Sequence, residues 1–137
     1  MVEVRAVYEG GLRCRVTHGP SGQTLITDAP VDNHGRGEAF SPTDLVAAAL
    51  SSCILTVMGI VAERHQIGLT GTTVHVKKEM MNEPARRIGS LSVTVTFPHA
   101  YPEAQRQLLE RTALSCPVHH SLHPQLHAPI DFQYPAE

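Results

Sequence analysis

Eighteen consecutive uncharged residues, Leu45 to Ala62, give the strongest hydropathy signal in the chain. They predict one long helix over residues 41–65. Ser41 is a good N-cap, Pro42 suits the first helical position because no N–H is needed there, and Asp44 favours the positive helix end. Glu63, Arg64 and His65 close the apolar run, and Gly68 supplies a stop. Such a helix is about 37 Å long. It is apolar on nearly every face, which predicts burial almost all round. Leu50, Cys53, Val57 and Ile60 recur at helical spacing, so a buried thiol is expected mid-helix among bulky apolar groups. The run reaches the length of a membrane span. Ser51, Ser52, Cys53 and Thr56 dilute it, however, and neither end carries Trp or Tyr, so no membrane association is expected.

Shorter alternating stretches surround the helix. Val2, Val4, Ala6 and Tyr8 alternate with polar positions over residues 2–8, as do Leu12, Cys14 and Val16 over residues 12–18. Glu9-Gly10-Gly11 between them makes this a hairpin. Its second strand puts Cys14 on a core face with Leu12 and Val16 and turns Arg13 and Arg15 the other way. Residues 24–27 read as a third strand, completing an antiparallel meander. Residues 28–40 form a polar loop carrying Asp32, His34, Arg36 and Glu38, the kind of loop on which a rigid scaffold often presents a site. Alternation resumes over residues 71–81 and from Ile88 to Phe97, with a turn at residues 82–85, which predicts a second hairpin. His75 and His99 read as surface or turn histidines.

Pro102 opens an amphipathic helix. It should end at Cys116, because Pro117 biases the residue before it away from helical backbone. A one-turn element follows. Ala128 to Tyr134 reads as a last strand, at an edge because Pro129 cannot donate to a ladder. The order β-β-β-α-β-β-α-β makes the chain a single α+β domain over residues 1–137, an antiparallel sheet with helices on one side.

Composition narrows the function. A net charge of −2 with both signs interspersed, and only 4% aromatic residues, excludes the basic footprint and stacking surface of a nucleic-acid binder. The first residues show no signal-peptide pattern, so a cytoplasmic location is expected. The three cysteines, Cys14, Cys53 and Cys116, are odd in number and form no C-x-x-C pair. In a reducing compartment this argues against a disulfide framework and leaves catalysis, metal binding or packing. No cofactor is expected.

Cys53 and Cys116 are the best candidates for chemistry, since packing of their two helices would bring the sulfurs together. A thiol that reduces peroxides must be thiolate at neutral pH, needs a cation or donor to hold that charge, and needs a second thiol to resolve its sulfenic acid. Cys53 is about three turns from the helix start, beyond the reach of the dipole, and burial alone raises its pKa. A positive group must come from elsewhere, and Arg13, Arg15 and Arg36 are at hand. A competing arrangement is Cys116-x-x-His119-His120-x-x-His123, with His127 beyond it. It offers sulfur and nitrogen ligands for zinc, but Pro124 interrupts it and the spacing fits no tight zinc pattern. The plainest alternative is a Cys53 that packs as a small hydrophobe.

The segment Ser41-Pro42-x-Asp44-Leu45-x-Ala47-Ala48-Ala49-x-x-x-Cys53 resembles the first cysteine helix of the OsmC/Ohr family (osmotically inducible protein C and organic hydroperoxide resistance proteins). The segment Cys116-Pro117-Val118-x-x-Ser121-Leu122 resembles its second cysteine motif, and the strand order agrees. The resemblance implies an OsmC-like α+β fold with antiparallel sheets wrapped around long buried helices in an intertwined homodimer. It also implies thiol-dependent reduction of organic hydroperoxides in an apolar pocket at the subunit interface. Cys53 would attack the peroxide, Cys116 would resolve it, and a dithiol such as a lipoylated protein would regenerate the pair. The family's activating arginine lies in the early strand region, which matches Arg13. Many members carry a glutamate ten residues before the first cysteine. Thr43 stands there in this chain, and Glu38 is the candidate substitute. The alternative on the same fold is a non-enzymatic dimer that binds an apolar ligand or senses oxidants through Cys53.

Overall fold

The computed structural model describes residues 1–136, and the chain divides into two compact units, Met1–Val46 and the remainder from Ala47. The first unit is the expected meander. Strands β1 (Val4–Gly10), β2 (Arg13–His18) and β3 (Thr24–Asp28) form an antiparallel sheet in the order β1-β2-β3. Its register sets Tyr8 opposite Cys14, Cys14 opposite Thr27, and Arg13 opposite Asp28. The first turn differs in detail from the sequence reading. Gly10, Gly11 and Leu12 all take left-handed backbone, with φ of 87°, 62° and 63°, so Leu12 belongs to the turn and is exposed. Cys14 is consequently half-buried rather than a core residue. The unit has little apolar core of its own, and Val4, Val7, Tyr8, Leu25 and Ile26 are exposed.

The long helix α1 (Pro42–Arg64) starts as predicted. The Asp44 N–H donates to Ser41 Oγ at 3.1 Å, and the Ser41 N–H donates to Asp44 Oδ2 at 2.9 Å. This reciprocal pair is a capping box in which aspartate takes the usual glutamate place. Ser41→Ala should cost about 1 kcal/mol of stability, readable by denaturant unfolding. The hydroxyls that interrupt the apolar run are absorbed by the helix itself. Ser51 and Ser52 donate to the Ala48 carbonyl, at 2.9 and 2.8 Å, and Thr56 donates to the Ser52 carbonyl at 2.7 Å.

The second unit has strands β4 (Thr73–Met81) and β5 (Arg87–Thr96), helices α2 (Glu103–Leu114) and α3 (Pro117–His120), and strand β6 (Ile130–Gln133). The β4–β5 hairpin sets Val76 opposite Val93 and Val74 opposite Val95. The sheet is mixed, however: β6 runs parallel to β5, with Val93 beside Ile130 and Val95 beside Phe132. Helices α2 and α3 lie between β5 and β6 in the chain and supply the crossover that a parallel pair requires. The core collects Leu50, Ile54, Met58 and Ala62 of α1, Leu91, Val93 and Val95 of β5, and Leu109 and Ala113 of α2. Arg106 of α2 lies 4.3 Å over the Tyr134 ring, and the Tyr134 hydroxyl donates to Glu110 at 2.6 Å, tying the chain after β6 to the helix that leads to Cys116.

Burial of α1 is the main departure from the sequence reading. A single stripe at four-residue spacing is buried, and the stripe of Cys53, Val57 and Ile60 is half-buried to exposed, Ile60 at 48%. By length and composition α1 could also cross a membrane. The regular buried stripe is what a helix packed in a protein core presents.

Candidate functional site

Each unit contains one cluster of chemically capable side chains. In the second, α1 carries Cys53 on the flank of its buried stripe, where the thiol is half-buried. Cys116 is fully buried between α2 and α3, facing inward as the sequence predicts. Helix α2 ends at Leu114, two residues sooner than expected, and Pro117 opens α3. Cys116 is the N-cap of α3, its Sγ accepting the His119 N–H at 3.5 Å. Cys53 and Cys116 are both free thiols, and they lie near enough that Cys53 influences the ionisation of Cys116. Burial, first, and then the Cys53 contact push the Cys116 thiol above its ordinary value, while the His119 and Val118 amides pull the other way. The resting form is therefore a neutral thiol at Cys116, near the more accessible sulfur of Cys53.

The His119 ring uses Nε2 on the Ala128 carbonyl at 2.9 Å, which bridges α3 to the segment before β6. That contact makes Nε2 the protonated nitrogen. The zinc arrangement is not assembled: among the described residues no three His, Cys, Asp or Glu side chains converge as metal ligands would. His123 Nδ1 instead accepts the Gln125 N–H at 3.0 Å.

The first unit holds the two residues assigned to activation. Arg13 Nη2 lies 2.8 Å from Glu38 Oε2 and 3.5 Å from Asp28 Oδ2. Arg15, on the same face of β2, is taken by Glu9 at 3.0 Å. Asp28 is the residue that sequence reasoning misses. It appears there as the start of a loop, but it is the last residue of β3, directly opposite Arg13, and only 1% exposed. Its Oδ2 also accepts the Glu38 N–H at 3.1 Å. This amide bond and the Arg13 charge hold its carboxyl below the ordinary carboxylate value against the opposing effect of burial, and the Ala29 and Arg36 amides help. The only signal available in the sequence was the β2–β3 register, which makes residues 13 and 28 cross-strand neighbours.

The loop between Asp28 and Glu38 is tightly closed. Gly35 and Gly37 donate to the carbonyls of Pro30 and Ala29, at 2.9 and 3.3 Å. A Cβ on Gly35 would fall 1.7 Å from the Ala29 carbonyl oxygen, so only glycine fits. Glu38 thus reaches Arg13 from a constrained loop, although its own side chain is 55% exposed.

Known proteins share the fold that carries these residues. Residues 35–130 match the model of the OsmC-like protein family, a span that holds Glu38, Cys53 and Cys116 but not Arg13. A structure from Psychrobacter arcticus, described as an osmotic stress induced and detoxification response protein, is 41% identical, with 97% of this chain and 96% of that one covered and a TM-score of 0.90. An OsmC-like protein of Mycoplasma pneumoniae shares the fold at 14% identity, with 99% and 98% covered and a TM-score of 0.82. An organic hydroperoxide resistance protein of Elizabethkingia anophelis does so at 17% identity, with 98% and 96% covered and a TM-score of 0.78. A search of curated protein sequences found no match. With the two cysteine motifs in place, the mixed α+β fold shared, and a family match across most of its length, the chain belongs to the OsmC/Ohr family of osmotically inducible and organic hydroperoxide resistance proteins.

Proposed function

We propose that this protein is a thiol peroxidase that reduces organic hydroperoxides through Cys53 and Cys116. The observation that carries the reading is the nearness of a half-buried Cys53 to a fully buried Cys116, two free thiols of which the first influences the ionisation of the second. The hydroperoxide-resistance names of structural relatives support a peroxide-related redox role. In the first step the Cys53 thiolate attacks the outer peroxide oxygen. The O–O bond breaks, the alcohol leaves with a proton, and Cys53 becomes a sulfenic acid. The Cys116 thiolate then attacks that sulfur, expelling water and forming the disulfide. A dithiol, such as a lipoylated protein, reduces it by two exchanges and is itself oxidised to a disulfide. Arg13, oriented by Glu38, is the cation this reading assigns to the Cys53 thiolate. The test is hydroperoxide consumption by the purified protein with a dithiol supplied. Consumption that needs Cys53 supports the reading, and an inert protein removes it.

The second step carries its own pH signature. Cys116 is raised above its ordinary value of 9.0, mainly by burial, so its thiolate is scarce at neutral pH. Closure of the disulfide after one equivalent of peroxide should therefore accelerate about tenfold per pH unit and show no plateau below pH 9. Rapid-quench mass spectrometry would follow it, and a plateau near neutrality would contradict the assignment.

The homodimer belongs to this proposal. The apolar exposure on β1 to β3, and on the Ile60 side of α1, is more than a monomer leaves open without use. In this reading both units form one domain, α1 is the buried centre of the dimer rather than a membrane span, and three unpaired cysteines suit the cytoplasm. One observation favours the sensing alternative: Arg13 meets two carboxylates, so its cluster is net negative. A sensor would form the disulfide once and turn over slowly.

A further inference from the structure

Asp28 has no role in the mechanism above, yet it is the most buried charged group in the first unit. Its Oδ2 makes two contacts that matter together: Arg13 Nη2 at 3.5 Å and the Glu38 N–H at 3.1 Å. Its own N–H donates to the Phe40 carbonyl at 3.0 Å. One side of the carboxylate therefore grips the arginine, and the same oxygen grips the backbone of the residue that pairs with that arginine. Its other oxygen, Oδ1, is buried without a hydrogen-bond partner. Glu38 is by contrast more than half exposed, and solvent weakens its hold on Arg13.

We infer that Asp28 is a positioning residue: its carboxylate anchors the Arg13 guanidinium and, through the Glu38 amide, the loop that brings Glu38 to it. This rests on the reading that Arg13 serves the Cys53 thiolate. Glu38 then holds the guanidinium from the solvent side, and Asp28 is the buried point that keeps it oriented.

The sign of the effect separates positioning from charge. Removing a negative charge beside Arg13 should, by Coulomb's law alone, leave the cluster more positive and make a nearby thiolate more stable and more abundant. Loss of an anchor should make Cys53 less reactive. The experiment is the rate at which iodoacetamide alkylates Cys53 at pH 7, resolved by peptide mass spectrometry, in the full chain and in Asp28→Asn, Arg13→Ala and the double variant. The readout needs no peroxide turnover. Asp28→Asn should slow alkylation about tenfold or more, Arg13→Ala should slow it at least as much, and the double variant should match Arg13→Ala alone. Equal slowing by Asp28→Asn in both backgrounds would mean a general structural role and overturn the inference. Faster alkylation would also overturn it, leaving only a charge effect. If Arg13→Ala leaves the rate unchanged, the underlying assignment of Arg13 fails and the inference falls with it. If Arg13→Ala slows the reaction and Asp28→Asn does not, the inference alone fails. Should Asp28→Asn not fold, Asp28→Ser enters the same cycle.

Discussion

Cys53→Ser should abolish hydroperoxide reduction, lowering turnover by at least about a thousandfold, while Cys116→Ser should spare the first reaction and stop the cycle after it. The asymmetry follows from where the two sulfurs sit. Cys53 is on the flank of the buried stripe and half-accessible, so a peroxide can reach it. Cys116 is fully buried and its ionisation is suppressed, which suits a resolving thiol and not an attacking one. Serine keeps the size of the Cys53 side chain but has no thiolate, and loss of a covalent nucleophile is among the most damaging changes an enzyme can suffer. The hydroxyl should be tolerated structurally, because α1 already absorbs Ser51, Ser52 and Thr56 on its own carbonyls. A peroxide assay with excess dithiol reads the first loss. One stoichiometric burst of peroxide consumption, with a sulfenic acid trapped at Cys53, identifies the Cys116→Ser variant. Equal activity in both variants and the parent would exclude the cysteines from the chemistry.

Ile54→Ala should cost about 2–5 kcal/mol, a large share of the 5–15 kcal/mol typical of a domain. Ile54 is wholly buried in the middle of α1, between Leu50 and Met58 on the same stripe and next to Cys53 in the chain. Truncation removes three carbons from a packed site, and a helix fixed along its whole length cannot collapse into the gap. Ile60 is the informative contrast, since it is 48% exposed in the single chain. On a monomer Ile60→Asp would change stability by no more than about 0.5 kcal/mol. In the proposed dimer it buries a charge against the partner, and both the unfolding midpoint and the dimer should be lost together. Chemical denaturation at two protein concentrations, with sedimentation of the same samples, distinguishes these cases.

Much of this was readable from residues alone, for physical reasons that differ by element. Helix α1 announces itself because a long uncharged run with a Ser-Pro-x-Asp start has few other folded solutions. Cys116 is legible as an inward-facing residue because it continues the Leu109 side of the amphipathic helix, although α2 ends two residues before the stop that Pro117 predicts. What escaped depends on pairing across the chain. Asp28 looks like a loop residue until the β2–β3 register sets it opposite Arg13. Strand β6 looks like an ordinary edge strand, and only the crossover through α2 and α3 makes it parallel to β5. Leu12 fits the alternation of β2, but the left-handed backbone begun at Gly10 and Gly11 carries it out of the strand. In the single chain only one stripe of α1 is covered, for a related reason: hydropathy reports which faces avoid water and says nothing of which chain covers them.

The most direct test of the central claim is mass spectrometry of the reduced protein after one equivalent of an organic hydroperoxide, with peptide mapping of all three cysteines. The account predicts a single Cys53–Cys116 disulfide, formed through a trappable sulfenic acid on Cys53, with Cys14 still reduced. Cys53 and Cys116 both remaining thiols under excess peroxide would contradict it.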